Sequence, residues 1–82
     1  MQLEILTPDQ SLFSGEVNGV QLPGVDGLFE ILENHAPMIA ALSAGIIKVK
    51  SSEGEQEIEI SSGIVECLQN HVSVLVEGKA EN

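Results

Sequence analysis

The 82-residue sequence contains no arginine, tryptophan or tyrosine, and its only basic side chains apart from histidine are Lys48, Lys50 and Lys79. Thirteen acidic side chains outnumber them and give a formal net charge of −10 at pH 7. Binding to nucleic acid, or to an anionic lipid surface by charge alone, depends on clusters of basic residues. The composition therefore excludes both functions and favours a partner that is neutral or basic.

Cysteine and long apolar runs are also scarce. The single cysteine, Cys67, excludes an intramolecular disulfide and fits a reduced, intracellular compartment. Its apolar neighbours predict a small, partly buried strand residue. The first residues lack the features of a signal peptide, and no apolar run approaches membrane-spanning length. We therefore expect a soluble chain without a transmembrane segment of its own.

Valine, isoleucine and leucine are plentiful, and they occur in short runs separated by turn-forming residues at roughly ten-residue spacing. The runs predict strands at 3–6, 16–22 (interrupted), 45–50, 55–60, 64–68 and 72–76, while 38–42 fits either a strand or a helical turn. This pattern predicts an all-β sandwich or barrel. We expect one domain over residues 1–77 and a short C-terminal tail at 78–82.

Two hairpins are predicted in the second half of the chain. Residues 51–54 form the loop of the first hairpin, whose outward faces carry lysines on one strand and glutamates on the other. Opposite charges across the strand pair support its register. Residues 69–71 turn the chain in the second hairpin, which places His71 in a turn.

The segment 23–37 reads PGVDGLFEILENHAP and combines turn signals with three carboxylates and a histidine. Pro-Gly and Asp-Gly pairs both favour tight turns. The segment therefore predicts a shaped loop rather than a core element, with Leu28 and Phe29 on an exposed bend and a positive φ at Gly27. Loops of this kind are common sites of partner contact.

No catalytic or metal-binding spacing is present in the sequence. Glu30 and Glu33 are three residues apart in a stretch predicted to be extended, which places them on opposite faces. Two histidines and one cysteine lie far apart, so no metal site is predicted. His35 fits an interface role or an ordinary hydrogen-bonding loop role about equally. We predict no catalytic residue and no cofactor.

Several segments, in order, closely resemble the epsilon subunit of F-type ATP synthases. They are LEILTPD at 3–9, LFSGEV at 12–17, LPGVDGLFEIL at 22–32, NHAP at 34–37 and GIIKV at 45–49, and the likeness continues at 62–66 and 72–75. The resemblance implies a β-sandwich of roughly ten short strands. It also implies a non-catalytic subunit of the rotating central stalk, which couples ion-driven rotation to ATP synthesis at the cytoplasmic face of the bacterial inner membrane.

The resemblance implies two partner interfaces. The residues implied to face the membrane c-ring are Asp26, Gly27, Leu28, Phe29 and Glu30. Those implied to face the gamma subunit are His35, Pro37 and Met38. This sequence departs from the family at Glu30, usually glycine, at Glu33, often proline, and at Leu28, a carboxylate in some members. The ring-facing charge is therefore expected on Asp26 or Glu30.

Longer family members continue into two helices that bind ATP. Residues 77–82 are too few for an independently stable helix, so neither ATP binding nor ATP-sensitive inhibition is expected of this chain. A second reading is a free-standing acidic β-sandwich that binds a basic protein or a small ligand. In either reading, Asp26, Glu30 and Glu33 could equally be a solvated acidic rim.

Overall fold

The computed structural model describes residues 1–77, and within that range it contains nine strands and no helix. The strands are β1 Gln2–Leu6, β2 Ser11–Glu16, β3 Gly19–Gly24, β4 Gly27–Leu32, β5 Met38–Leu42, β6 Gly45–Ser51, β7 Gly54–Ile60, β8 Gly63–Leu68 and β9 His71–Val76. The predicted all-β class is confirmed. The C-terminal tail predicted for 78–82 lies outside the described residues.

The strands form one hydrogen-bonded sheet that curls over on itself. Its order is β2-β1-β9-β8-β5-β3-β6-β7, with β4 paired to the other side of β3. Only the β1–β9 pair is parallel among the described strands. The joint between β5 and β3 is a single residue pair, Gly24 with Leu42. The sheet therefore divides there into two halves, β2-β1-β9-β8-β5 and β7-β6-β3-β4.

An aliphatic core fills the space between the two halves. Because side chains alternate across a strand, each half contributes every second residue to this core. The buried side chains form one cluster made of Met1, Leu3, Ile5, Val17, Val20, Leu22, Ile31, Leu42, Ile47, Val49, Ile60, Val65, Cys67, Val72, Val74 and Val76. Burying a single large aliphatic side chain of this kind stabilises a fold by about 1.5–3 kcal/mol. The predicted burial of Cys67 is confirmed.

The register of β3 and β4 sets the two ends of the sandwich. Gly24 pairs with Gly27 beside the turn that joins the strands, and Gly19 pairs with Leu32 at the other end. The β3–β4 turn and the 33–37 loop therefore lie at opposite ends of the same hairpin. Six-residue strands separate two such ends by roughly 20 Å.

The prediction of a shaped loop over 23–37 is wrong for most of that segment. Pro23 and Gly24 continue β3, and Gly27–Leu32 is a regular strand, so the bend is confined to Val25 and Asp26. The sequence carries two adjacent turn signals, but only the second one forms a turn. Ile31 is fully buried but Leu32 is 54% exposed, because neighbouring side chains of a strand point to opposite faces.

Three smaller corrections concern strand boundaries. The single interrupted strand predicted for 16–22 is two strands, β2 and β3, which belong to different halves of the sheet. The β6–β7 loop has two residues instead of four, since Ser51 already pairs with Gly54. His71 is the first residue of β9 rather than a turn residue, and the β8–β9 turn consists of Gln69 and Asn70.

Candidate partner-binding surfaces

The β3–β4 turn is short and anchored to the neighbouring strand. The Val25 N–H donates to the Ala41 carbonyl at 3.1 Å, and the Ser43 N–H donates to the Pro23 carbonyl at 2.8 Å. Gly27 has a φ of 126°, which confirms the positive φ expected there. Asp26 is exposed on this turn, and it forms no ion pair within residues 1–77. The turn therefore presents one free carboxylate in a defined position.

The five residues assigned to the c-ring do not share one face of β4. Leu28 is 69% exposed and points outward, as does Glu30 two residues later. Phe29 points inward, where it is half-buried and packs against the core. Its ring lies over Gly24, since a Cβ at Gly24 would be 2.8 Å from a Phe29 ring carbon. The aromatic ring therefore supports the turn from the inside.

Glu30 is occupied by an ion pair. Its Oε2 lies 2.8 Å from the Nζ of Lys50, which belongs to β6 on the far side of β3. The contact passes beside Gly19 of β3, where a Cβ would lie 3.6 Å from Glu30 Oε2. The hydrogen bond with Glu30 raises the pKa of Lys50. Of the two carboxylates expected to carry the ring-facing charge, Asp26 is therefore the one without an ion pair in residues 1–77.

The predicted register of the β6–β7 hairpin is confirmed, and its charges face each other as expected. Lys48 lies opposite Glu57, and Lys50 lies opposite Glu55. The Lys50 ammonium nevertheless makes its ion pair with Glu30, while Glu55 adds only a longer-range attraction.

The loop at 33–37 is exposed along its whole length. Asn34 has a φ of 63°, and the N–H of His35 donates to the Leu32 carbonyl at 3.1 Å. The Nδ1 of His35 lies 2.7 Å from the carbonyl of Ala36. A carbonyl oxygen can only accept, so this contact assigns a proton to Nδ1.

A polar cluster holds this loop at its base. The amino group of Met1 contacts Glu33 at 3.1 Å and Glu16 at 2.9 Å, and it also donates to the Val17 carbonyl. The hydrogen bond to Glu16 is the main factor that raises the pKa of the Met1 amino group, although burial opposes it. The same ammonium, followed by the side-chain amide of Asn70, lowers the pKa of Glu33. Glu30 and Glu33 thus have different partners and form no carboxylate pair.

The outer face of the β1-β9-β8-β5 half carries an apolar patch that sequence reasoning missed. Ile39 is 67% exposed, and the register places Ile64 next to Leu75 and Leu75 next to Leu6. These four residues, which we call the outer apolar face, line a shallow depression of about 220 Å³. The sequence does contain a signal for this patch, which is the unbroken apolar run at 38–42. A strand with one face in water normally alternates apolar and polar residues.

Two further observations concern possible ligand sites within residues 1–77. A larger depression of about 410 Å³ lies between β2 and the β6–β7 hairpin and is lined largely by polar groups. Across residues 1–77, no three histidine, cysteine or acidic side chains converge into a potential metal site. In the same range, no helix is long and apolar enough to cross a membrane.

A family model described as the beta-sandwich domain of the ATP synthase delta/epsilon chain matches residues 1–81. The chain belongs to this family. It is 42% identical over 77 residues to the ATP synthase epsilon chain of Chlorobium limicola, covering 93% of this chain and 88% of that protein. It is 34% identical over 77 residues to the epsilon chain of Leptospira borgpetersenii, covering 94% of this chain and 61% of that one. The chain thus spans about three-fifths of its Leptospira relative.

Solved structures share the fold at low sequence identity. A chain in the Euglena gracilis mitochondrial ATP synthase structure, which comprises OSCP, F1 and the c-ring, superposes with a TM-score of 0.83 at 21% identity, covering 90% of this chain and 48% of that chain. A chain in the central stalk and c-ring structure of the Tetrahymena thermophila mitochondrial ATP synthase superposes with a TM-score of 0.76 at 14% identity. This match covers 92% of this chain and 61% of that chain. At these identities the likeness establishes the β-sandwich fold alone.

Proposed function

We propose that this chain is a non-catalytic subunit of the ATP synthase rotor, which binds the gamma subunit and the c-ring and couples ion-driven rotation to ATP synthesis. The observation that carries the proposal is the family membership of nearly the whole chain, with relatives named ATP synthase epsilon chain. As part of the complex, the chain would lie peripherally at the cytoplasmic face of the bacterial inner membrane. Neither ATP binding nor a nucleotide-dependent brake is part of this proposal.

The separation of the two candidate surfaces supports a role between two partners. The β3–β4 turn, with Asp26 free, is at one end of the sandwich, and the 33–37 loop is at the other. Met38 follows that loop as the first residue of β5, and Ile39 beside it begins the outer apolar face. We infer that gamma contacts His35, Pro37 and Met38, and that its contact continues over Ile39. The β3–β4 turn would then contact the ring.

The primary test is direct binding to the gamma subunit of the same bacterium. We expect a one-to-one complex by analytical ultracentrifugation. Ile39→Asp should weaken binding at least tenfold, since it places a charge in an apolar contact. Ile46→Asp is the matched control, because Ile46 is also exposed but lies on the other half of the sheet. If the unmodified chain stays monomeric beside gamma, the free-standing acidic module is the better reading.

The ring contact is tested by reversing the free charge on the turn. We expect Asp26→Lys to weaken the association of the chain–gamma complex with isolated c-rings about five- to tenfold at low salt, because a basic ring surface would then meet a cation. Glu53→Lys changes the net charge equally, but on the exposed β6–β7 turn at the opposite end of the sandwich. Equal binding by both variants at every salt concentration would remove the electrostatic part of the proposal.

A further inference from the structure

The 33–37 loop has little packing of its own to hold it in place. All five of its residues are exposed, and among the described residues none of its side chains enters the core. Its conformation includes a positive φ at Asn34, which asparagine tolerates better than most residues. Polar contacts from outside the loop must therefore define its position.

Asn70 supplies two of these contacts through its side chain. Its Oδ1 accepts the backbone N–H of Asn34 at 2.8 Å, and its Nδ2 donates to Glu33 Oε2 at 3.3 Å. The carbonyl of the same residue accepts the N–H of Gln2 at 3.1 Å. Asn70 thus links the loop to β1 and to the β8–β9 turn.

The backbone conformation of that turn does not itself require an asparagine side chain. Gln69 and Asn70 have φ values of 52° and 63°, the two consecutive positive angles of a two-residue hairpin turn. Glycine satisfies this requirement at least as well as asparagine. The asparagine side chain is therefore needed for the contacts with the loop rather than for the hairpin.

We propose that Asn70 is a positioning residue that holds the 33–37 loop in the conformation that binds the gamma subunit. This inference rests on the proposed function, because it assigns the loop to the gamma contact. With Asn70 in place, Asn34 is fixed at the base of the loop, and the exposed side chain of His35, the next residue, is held where the partner can contact it. Without the Asn70 side chain, the loop samples other conformations. Gamma must then order the loop as it binds, and this entropic cost lowers the affinity.

The test compares Asn70→Gly with Gln69→Gly. Both keep the positive φ of the turn, and the side chain of Gln69 makes no hydrogen bond within residues 1–77, so its removal is a matched control. In the isolated chain, Asn70→Gly should increase hydrogen exchange at the Asn34 amide about tenfold and leave the Val72 amide unchanged. Binding to gamma should weaken about three- to tenfold in Asn70→Gly and stay unchanged in Gln69→Gly.

A rescue variant separates positioning from general damage to the fold. Asn70→Asp combined with Glu33→Gln exchanges donor and acceptor, since the carboxylate introduced at position 70 accepts from the Asn34 N–H and from the amide N–H introduced at position 33. The amide oxygen introduced at position 33 still accepts from the Met1 amino group, so a hydrogen bond replaces the Met1–Glu33 ion pair. We expect gamma affinity to return to within twofold of the unmodified chain. Unchanged exchange at Asn34 in Asn70→Gly overturns the positioning role itself. Unchanged gamma affinity, or an equal loss in Gln69→Gly, overturns its link to docking, whereas no gamma binding by the unmodified chain overturns the proposed function.

Discussion

Gly27 and Gly54 form a natural pair of test sites at opposite ends of the sandwich. Both follow a two-residue turn, with φ values of 126° and 117°, and a Cβ at either position would meet no atom within 4 Å. The strain of a positive φ is therefore the only cost that alanine adds at these positions. A residue with a side chain held at such a φ, beyond the left-handed helical region, costs on the order of 1–3 kcal/mol.

Gly27→Ala and Gly54→Ala should consequently lower the free energy of unfolding by similar amounts. For a domain of this size, about 1–3 kcal/mol corresponds to a fall in Tm of roughly 4–24 °C. Thermal and urea unfolding of the isolated chain measure both quantities. The β3–β4 turn belongs to the surface proposed to face the c-ring, whereas the β6–β7 turn does not. ATP synthesis in reconstituted vesicles should therefore fall more in Gly27→Ala than in Gly54→Ala.

Two results would refute this reasoning. If neither variant is destabilised, positive φ at these positions carries no strain. If both variants are destabilised and lose ATP synthesis to the same extent, reduced stability explains the loss of coupling, and the β3–β4 turn has no particular role in it.

Three further predictions follow from individual contacts. The folded-state pKa of Glu33 is lowered from its ordinary value of 4.5, so its contribution to stability should be present above pH 4.5 and lost as the pH falls through the lowered pKa. Urea unfolding at a series of pH values should show this loss in the unmodified chain and not in Glu33→Gln. Gly24→Ala should destabilise the fold by about 1–3 kcal/mol, because its Cβ would be 2.8 Å from both the Gly27 carbonyl oxygen and the Phe29 ring. Gly15→Ala, whose Cβ would be 3.7 Å from the Phe13 ring, should cost less, and equal stabilities would contradict the close contacts at Gly24. Burial raises the pKa of the Cys67 thiol, so iodoacetamide should modify it slowly until urea unfolds the chain, and rapid reaction of the folded protein would show that the thiol is accessible.

Local patterns predicted the antiparallel hairpins well. The alternation of Ile47 and Val49 with lysines identified the inward face of β6, and the opposing glutamates gave the correct register against β7. Both features depend on residues close together in sequence, where the period of the strand is sufficient information. The same reasoning gave a wrong prediction at Pro23-Gly24. These two residues have the composition of a turn but belong to strand β3, and the Pro23 carbonyl accepts the Ser43 N–H.

Contacts between distant segments left no such local signal. The parallel pairing of β1 with β9 joins the two ends of the described chain, and the ion pair of Glu30 with Lys50 crosses an intervening strand at a glycine. The contact of Asn70 with Asn34 depends on the same kind of tertiary arrangement. The sequence could therefore identify the β3–β4 turn and the 33–37 loop as candidate binding surfaces. It could not show which carboxylate lacks an ion pair, or which side chain holds the loop in place.

The arrangement of β3 bears on how the proposed rotor role would operate. This strand pairs with β4 and β6 in its own half of the sandwich, and its single Gly24–Leu42 pair with β5 joins it to the other half. At the turn end, its Pro23 carbonyl is fixed by Ser43, and at the other end Asn70 fixes the loop that follows β4. A displacement of the turn must therefore move a hydrogen-bonded sheet rather than bend a free loop. Under the proposed function, the sheet would therefore transmit a displacement of the β3–β4 turn at the ring to the gamma contact, which lies roughly one strand length away.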